Sequence, residues 1–217
     1  MALTIYGISA SRALRPLWAA TELGLDFEHV QTDYKLGTTR TPAFLAINPN
    51  GHIPVLVDQR PEGDVTVWES MACVLYITRH HGQADGVNLV PATPQEDAEA
   101  LRWSFWTVTE LEKDALTVLM HRQVMPPEQR KPELAESAER RLRGPLGVLE
   151  QHLAQQQERG QTYLAATRFT VADLCVASVL WWARPARELM GQHPLTSAWL
   201  AQCLARPAYE ALRRQRR

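Results

Sequence analysis

The stretch Asn48-Pro49-Asn50-Gly51-His52-Ile53-Pro54-Val55-Leu56-Val57 decides the fold of the first part of the chain. Asn-Pro and Asn-Gly are turn dipeptides, since proline fixes φ and glycine supplies positive φ without steric cost. A short β-branched run follows, with proline at its start, one of the few places a strand tolerates it. Reading toward the C-terminus, Arg60-Pro61-Glu62-Gly63-Asp64 is a turn and Val65-Thr66-Val67-Trp68 the returning strand of a hairpin. Glu69-Ser70 then opens a helix that runs to Arg79-His80-His81 and stops at Gly82. Reading toward the N-terminus, Pro42 to Ile47 is a short helix, and Phe27-Glu28-His29-Val30-Gln31 alternates as a strand. Leu14, Leu17, Trp18, Thr21 and Leu25 recur at helical spacing after the opening strand Leu3-Thr4-Ile5-Tyr6, which ends at Gly7. The order is βαβ followed by ββα. It predicts one mixed α/β sheet with two parallel strands joined by a right-handed crossover.

After Gly82 the pattern changes. Residues 83–91 carry Gly, Asp, Asn and Pro and read as a linker between a first domain, 1–82, and a second, 92–217. The second domain shows no strand pattern. Thr93-Pro94-Gln95-Glu96 predicts a helix start, with Thr93 as N-cap, Pro94 in the first turn and Glu96 reaching back. Its helix is expected to bury a stripe of Leu101, Phe105, Val108, Leu111 and Ala115. A further helix is predicted from about Pro132 to Arg159, closed by Gly160. Thr170-Val171-Ala172-Asp173 is a second capping-box start, feeding the apolar run Leu174 to Trp182, and a last helix is placed near Ser197.

Composition restricts the function classes. The 217 residues carry a net charge of −1, with 45% hydrophobic and 22% charged residues, an ordinary globular balance that offers nothing to nucleic acid. The basic end (Arg206, Arg213, Arg214, Arg216, Arg217) reads as a solvated helix terminus. No apolar run has the roughly 20 residues of a membrane span, and no signal peptide precedes the first strand, so a cytoplasmic protein is expected. Cys73, Cys175 and Cys203 are sparse and form no C-x-x-C pair, which points to buried thiols in a reducing compartment. Adjacent His80 and His81 point in different directions on a helix, and no metal site is expected.

The first domain, with Ile53-Pro54 before its third strand, resembles the thioredoxin fold. Within it, Ser11-Arg12-Ala13-x-Arg15-x-Leu17-Trp18 resembles the first loop and helix of serine-type cytosolic glutathione transferases, in their bacterial and yeast-like Ser-Arg-Ala subgroup. Phe44-Leu45-x-x-Asn48-Pro49-x-Gly51-His52-Ile53-Pro54 resembles that superfamily's glutathione-backbone segment, Trp68-Glu69-Ser70-x-Ala72 its γ-glutamyl segment, and Thr170-x-x-Asp173 the capping box of its helical domain. The four matches fall in order and cover most of the chain.

The resemblance implies glutathione as co-substrate. Glu69 and Ser70 at a helix start suit a γ-glutamyl head, since free N–H groups and the dipole favour its carboxylate and the Glu69 carboxylate suits its ammonium. The same pair also makes a plain helix cap. A cis Ile53-Pro54 bond would turn the Ile53 backbone toward the cysteinyl residue, with His52 beside the glycine carboxylate. A glutathione thiol ionises near 8.5, and only the thiolate attacks. A hydroxyl at a helix start stabilises it, and three compete for the role: Ser11, Ser9 and Tyr6, with Arg12 assisting through charge. Trp106, on the first helix of the second domain, is a candidate wall of the pocket for a small hydrophobic electrophile. The resemblance further implies a homodimer and a conjugating transferase. A glutathione-dependent isomerase, lyase or disulfide reductase, or a non-catalytic binding protein on the same fold, are the alternatives.

Overall fold

The computed structural model describes residues 2–84 and 87–214. It divides into two compact units, Met1–Val90 with Arg206–Arg217, and Pro91–Ala205.

The first unit is built on a four-stranded sheet in the order β2-β1-β3-β4. β1 (Leu3–Tyr6) pairs parallel with β2 (Phe27–Val30) and antiparallel with β3 (Val55–Asp58), which pairs antiparallel with β4 (Val65–Trp68). β1 lies inside the sheet, and Leu3, Thr4 and Ile5 are all buried, as a strand covered on both faces requires. β4 is an edge strand that alternates: Val65 and Val67 are half-buried, Thr66 and Trp68 exposed. α1 (Leu14–Glu22) and α3 (Ser70–His81) pack on one another, and α2 (Pro42–Ile47) is capped by Thr41, whose hydroxyl accepts from Phe44 N. The predicted βαβ-ββα order is the order observed.

Two expectations change here. The predicted linker holds two short antiparallel strands, β5 (Gln83–Ala84) and β6 (Val87–Asn88), while its residues 85–86 lie outside the described residues. The single last helix is two, α9 (Pro194–Leu204) and α10 (Pro207–Arg214), because Pro207 cannot continue the hydrogen-bond ladder. α10 groups with the first unit. Tyr209 lies 4.8 Å from Trp18, and Arg206 Nε donates to Glu22 Oε1 at 2.9 Å. Arg206 is therefore tied down rather than part of a solvated terminus; Arg216 and Arg217 lie outside the described residues.

The second unit is helical. α4 (Pro94–Trp106) starts as predicted: Glu96 N donates to Thr93 Oγ1 at 3.1 Å, and Glu96 Oε2 reaches back to Ala92 N at 2.9 Å. The buried stripe differs from the expected one. Ala100, Trp103, Ser104 and Thr107 face the core, whereas Leu101 and Phe105 are exposed. Between α4 and α5 (Glu112–Leu119) the backbone takes a wide π turn over Thr107–Leu111, which rotates the inward face. Leu111 and Ala115 consequently do reach the core. α6 (Pro132–Glu158) buries Leu142, Leu146 and Leu149 at helical spacing. α7 (Val171–Leu180) is buried on every side, the signature of a central helix. Its Thr170–Asp173 box is complete, and Asp173 Oδ1 also accepts from Leu164 N and Trp199 Nε1 at 2.9 and 3.0 Å. Among the described residues no helix is long and apolar enough to cross a membrane.

Candidate functional site

The loop from β1 to α1 is set by Gly7, whose φ is 140° and whose missing Cβ would sit 2.5 Å from that of Ala13. Only glycine permits this approach. The same missing atom would lie 3.3 Å from Ile53 Cβ, so the loop and the Ile53-Pro54 segment are neighbours. The Ile53-Pro54 peptide is cis, as the resemblance implied. The turn before it is braced by Asn48, whose Nδ2 donates to His52 O at 2.7 Å and whose Oδ1 accepts from Asn50 N at 3.0 Å. The His52 side chain is exposed.

Ser11 lies just before α1. Its Oγ donates to Ile8 O at 2.7 Å and accepts from Ala13 N at 3.1 Å, so the hydroxyl braces the turn that leads into α1, whose N-cap is Ala13. It is half-exposed, and Arg12 beside it is exposed. Ser9 is buried, and Tyr6 is half-buried with its ring edge-on to Phe44 at 6.4 Å. Of the three candidate hydroxyls, Ser11 lies nearest along the chain to the start of α1.

Glu69 is the one non-glycine residue with positive φ among the described residues, at φ 71° and ψ 117°. Such a conformation costs on the order of 1–3 kcal/mol and persists where the surroundings impose it, commonly at ligand sites. Glu69 makes no side-chain cap bond and is exposed, so the plain-cap reading loses its hydrogen bond. Ser70 follows as the first residue of α3, buried, and its Oγ accepts from Arg15 Nη1 at 2.7 Å. Arg15 belongs to the Ser11-Arg12-Ala13-x-Arg15 motif, but the sequence assigns it no role, since a cation inside the apolar run Leu14 to Trp18 does not name its partner.

Trp106 lies in the second unit. With Arg102, Trp103, Val148, Gln151 and His152 it lines a cavity of about 350 Å³ between α4 and α6. Trp103 and Trp106 stand edge to face at 4.8 Å, and Trp103 meets His152 at 4.7 Å. Burial pushes the His152 imidazole below its ordinary value, and its Nε2 lies 2.7 Å from Leu164 O.

All three cysteines are buried, and none is in a disulfide. Burial pushes the Cys73 thiol up to about 12. It is therefore inert at neutral pH, the opposite of an activated enzyme thiol.

A thioredoxin-like sheet unit with a helical unit after it defines the class: a two-part fold that presents a helix start and a cis-proline turn. Comparison with known proteins narrows it. The family model "Glutathione S-transferase, N-terminal domain" matches residues 1–79, and "Glutathione S-transferase, C-terminal domain" matches 112–207. The chain is 34% identical to glutathione S-transferase 3 of Zea mays, over 96% of this chain and 91% of that one. The solved structure of glutathione S-transferase III in apo form is 32% identical with a TM-score of 0.81, covering 98% and 95% of the two chains. The glutathione transferase URE2P6 of Phanerochaete chrysosporium, solved with oxidised glutathione, is 26% identical with a TM-score of 0.78, over 99% and 96%. The chain belongs to the glutathione S-transferase family. With that membership come transferase activity and glutathione as co-substrate.

Proposed function

We propose that the first unit holds glutathione along the Glu69–Ser70, Ile53 and Ser11 surfaces and that the bound thiolate attacks small hydrophobic electrophiles. The observation that carries this reading is Glu69: an exposed carboxylate in a left-handed conformation at the start of α3. The first-turn N–H groups of α3 and the Ser70 hydroxyl take the γ-glutamyl carboxylate, and Glu69 takes the ammonium. The Ile53 backbone pairs with the cysteinyl residue next to Pro54, and His52 serves the glycine carboxylate.

Ser11 carries the thiol role in this reading, ahead of Ser9 and Tyr6. Its proton turns from Ile8 O to the sulfur, and the start of α1 adds a favourable field. Lowering a thiol pKa by two units corresponds to about 2.7 kcal/mol, within reach of one charge-assisted hydrogen bond plus a helix end. Arg12 contributes charge. The sulfur lone pair then forms a C–S bond. In a substitution the leaving group departs with its electron pair; in an addition the adduct takes a proton from solvent. Trp106 belongs to the wall of the second-substrate pocket.

The serine-type assignment, a cytoplasmic location, the domain division at 83–91 and a homodimer pairing the first domain of each subunit with the second of the other belong to the same proposal. Exposed Trp68 and Phe105 support a partnered surface. The relative solved with oxidised glutathione favours disulfide exchange as a second reading: bound thiolate attacks one sulfur and releases the other half as a thiol.

Isothermal titration with glutathione, paired with thiolate absorbance against pH, tests the core of the proposal. Saturable binding with the thiol ionising below its free value is expected, and Glu69→Ala weakens it. No binding at millimolar glutathione removes the reading.

A further inference from the structure

We propose that Arg15 is a positioning residue for recognition of the γ-glutamyl carboxylate, acting through Ser70. This rests on the reading of Ser70 as a glutathione contact. Arg15 lies in the first turn of α1 and is 1% exposed, between Leu14 and the fully buried Leu17 and Trp18. From there its Nη1 donates to Ser70 Oγ at 2.7 Å.

A serine hydroxyl has one proton and two acceptor sites, and its proton rotates to suit. The guanidinium occupies an acceptor site and has no lone pair to receive a hydrogen bond. The Ser70 proton is therefore turned away from Arg15. It has no acceptor among the described residues, although Ser70 is only 5% exposed. A serine in a helix ordinarily spends this proton on a nearby backbone carbonyl. At the first residue of α3 the neighbouring groups are the unpaired N–H donors of the first turn. Ser70 thus presents a pre-aimed donor alongside backbone donors, an array that fits one carboxylate. Since Arg15 lies in α1 only four residues after Ser11, the same bond ties the thiol end of the site to the γ-glutamyl end.

The test compares glutathione with 4-aminobutyryl-cysteinyl-glycine, the analogue lacking only the γ-glutamyl α-carboxylate. Kd is measured for both on wild type, Ser70→Ala, Arg15→Met and Arg15→Gln, with melting temperature as the check on folding. Ser70→Ala is expected to lose about tenfold of the preference for glutathione, as one hydrogen bond to a charged group implies. If it does not, the reading of Ser70 fails, and the inference with it. Arg15→Met is expected to lose a similar factor, with kcat at saturating glutathione within about threefold of wild type. Arg15→Gln keeps an N–H donor and is expected to retain the preference. A folded Arg15→Met that still prefers glutathione as wild type does, while Ser70→Ala does not, overturns the role of Arg15 alone. Should Arg15→Met not fold, Arg15→Gln decides: retained preference supports the positioning role, and a tenfold loss overturns it.

Discussion

Ser11 has two tasks that separate by pH. Its hydroxyl braces the turn leading into α1 through Ile8 O and Ala13 N. In the proposed complex the same proton stabilises a thiolate. Ser11→Ala is expected to lose about 1 kcal/mol of stability through the lost turn hydrogen bonds. At pH 6.5 its kcat/KM should fall roughly 10–100-fold, the worth of one charge-assisted hydrogen bond. The deficit narrows as pH passes the free thiol's value of about 8.5, since the thiolate then forms unaided. A constant deficit across pH 6–9.5 would assign the thiol to Ser9 or Tyr6. A second residue carries pH dependence of stability. Burial alone would raise the Asp58 carboxyl, but hydrogen bonds from His81, Tyr76 and Arg60 outweigh it and hold it below the ordinary value. All three donors converge on Oδ2, with Tyr76 and His81 each at 2.9 Å. A depressed carboxyl contributes stability above its unfolded value of about 3.9 that is lost as pH falls through the folded one. Asp58→Asn should therefore cost about 2 kcal/mol in urea melts at pH 7, with the gap narrowing steadily as pH falls below about 3.9. A gap that does not narrow at all below that pH would show that packing, not charge, ties β3 to α3.

At the level of elements, local chemistry was legible wherever adjacent residues supply both halves of an interaction. Thr93-Pro94-x-Glu96 and Thr170-x-x-Asp173 named their own helix starts, because a cap is closed within four residues. Asp58, Tyr76 and His81 gave no such signal, being up to 23 positions apart and joined only by the β3–α3 packing. The Leu101–Phe105 stripe was misplaced for a different reason. α4 carries two apolar faces, and the inward one is chosen by tertiary contacts and then rotated by the π turn at Thr107–Leu111. Asp173 shows how much one local motif can carry. Burial pushes its carboxyl up from the ordinary range, while Leu164 N, Thr170 N, Thr170 Oγ1 and Trp199 Nε1 pull the other way. Removing it strands buried donors at roughly 1–3 kcal/mol each. Asp173→Ala is expected to lose about 4 kcal/mol or more, seen as insoluble protein or a melting temperature lower by over 10 °C. A loss under 1 kcal/mol would mean the box is ornamental to α7.

For the whole molecule, the proposed glutathione chemistry draws only on residues of the first unit, while the proposed second-substrate role of Trp106 depends on the helical one. The order of motifs along the sequence revealed both units; a partner subunit leaves no such trace, because residues that pack between copies look like core residues in the chain that bears them. Helical spacing alone puts Phe105 on the apolar stripe with Leu101. In the described chain it is 64% exposed, and Trp68 on the sheet edge is 40% exposed. Isolated apolar residues on a surface need no partner. Here, though, Leu101 shares the face of Phe105 one turn away, and a helix face carrying two large apolar side chains is better explained by association. A homodimer predicts a light-scattering mass of about twice the 24.5 kDa chain. Phe105→Glu places an unpaired charge in the proposed interface and should shift the protein toward monomer, while glutathione binding by the first unit changes less than about threefold. A wild-type monomer at micromolar concentration would remove the dimer, and a fully dimeric Phe105→Glu would move its interface to another face.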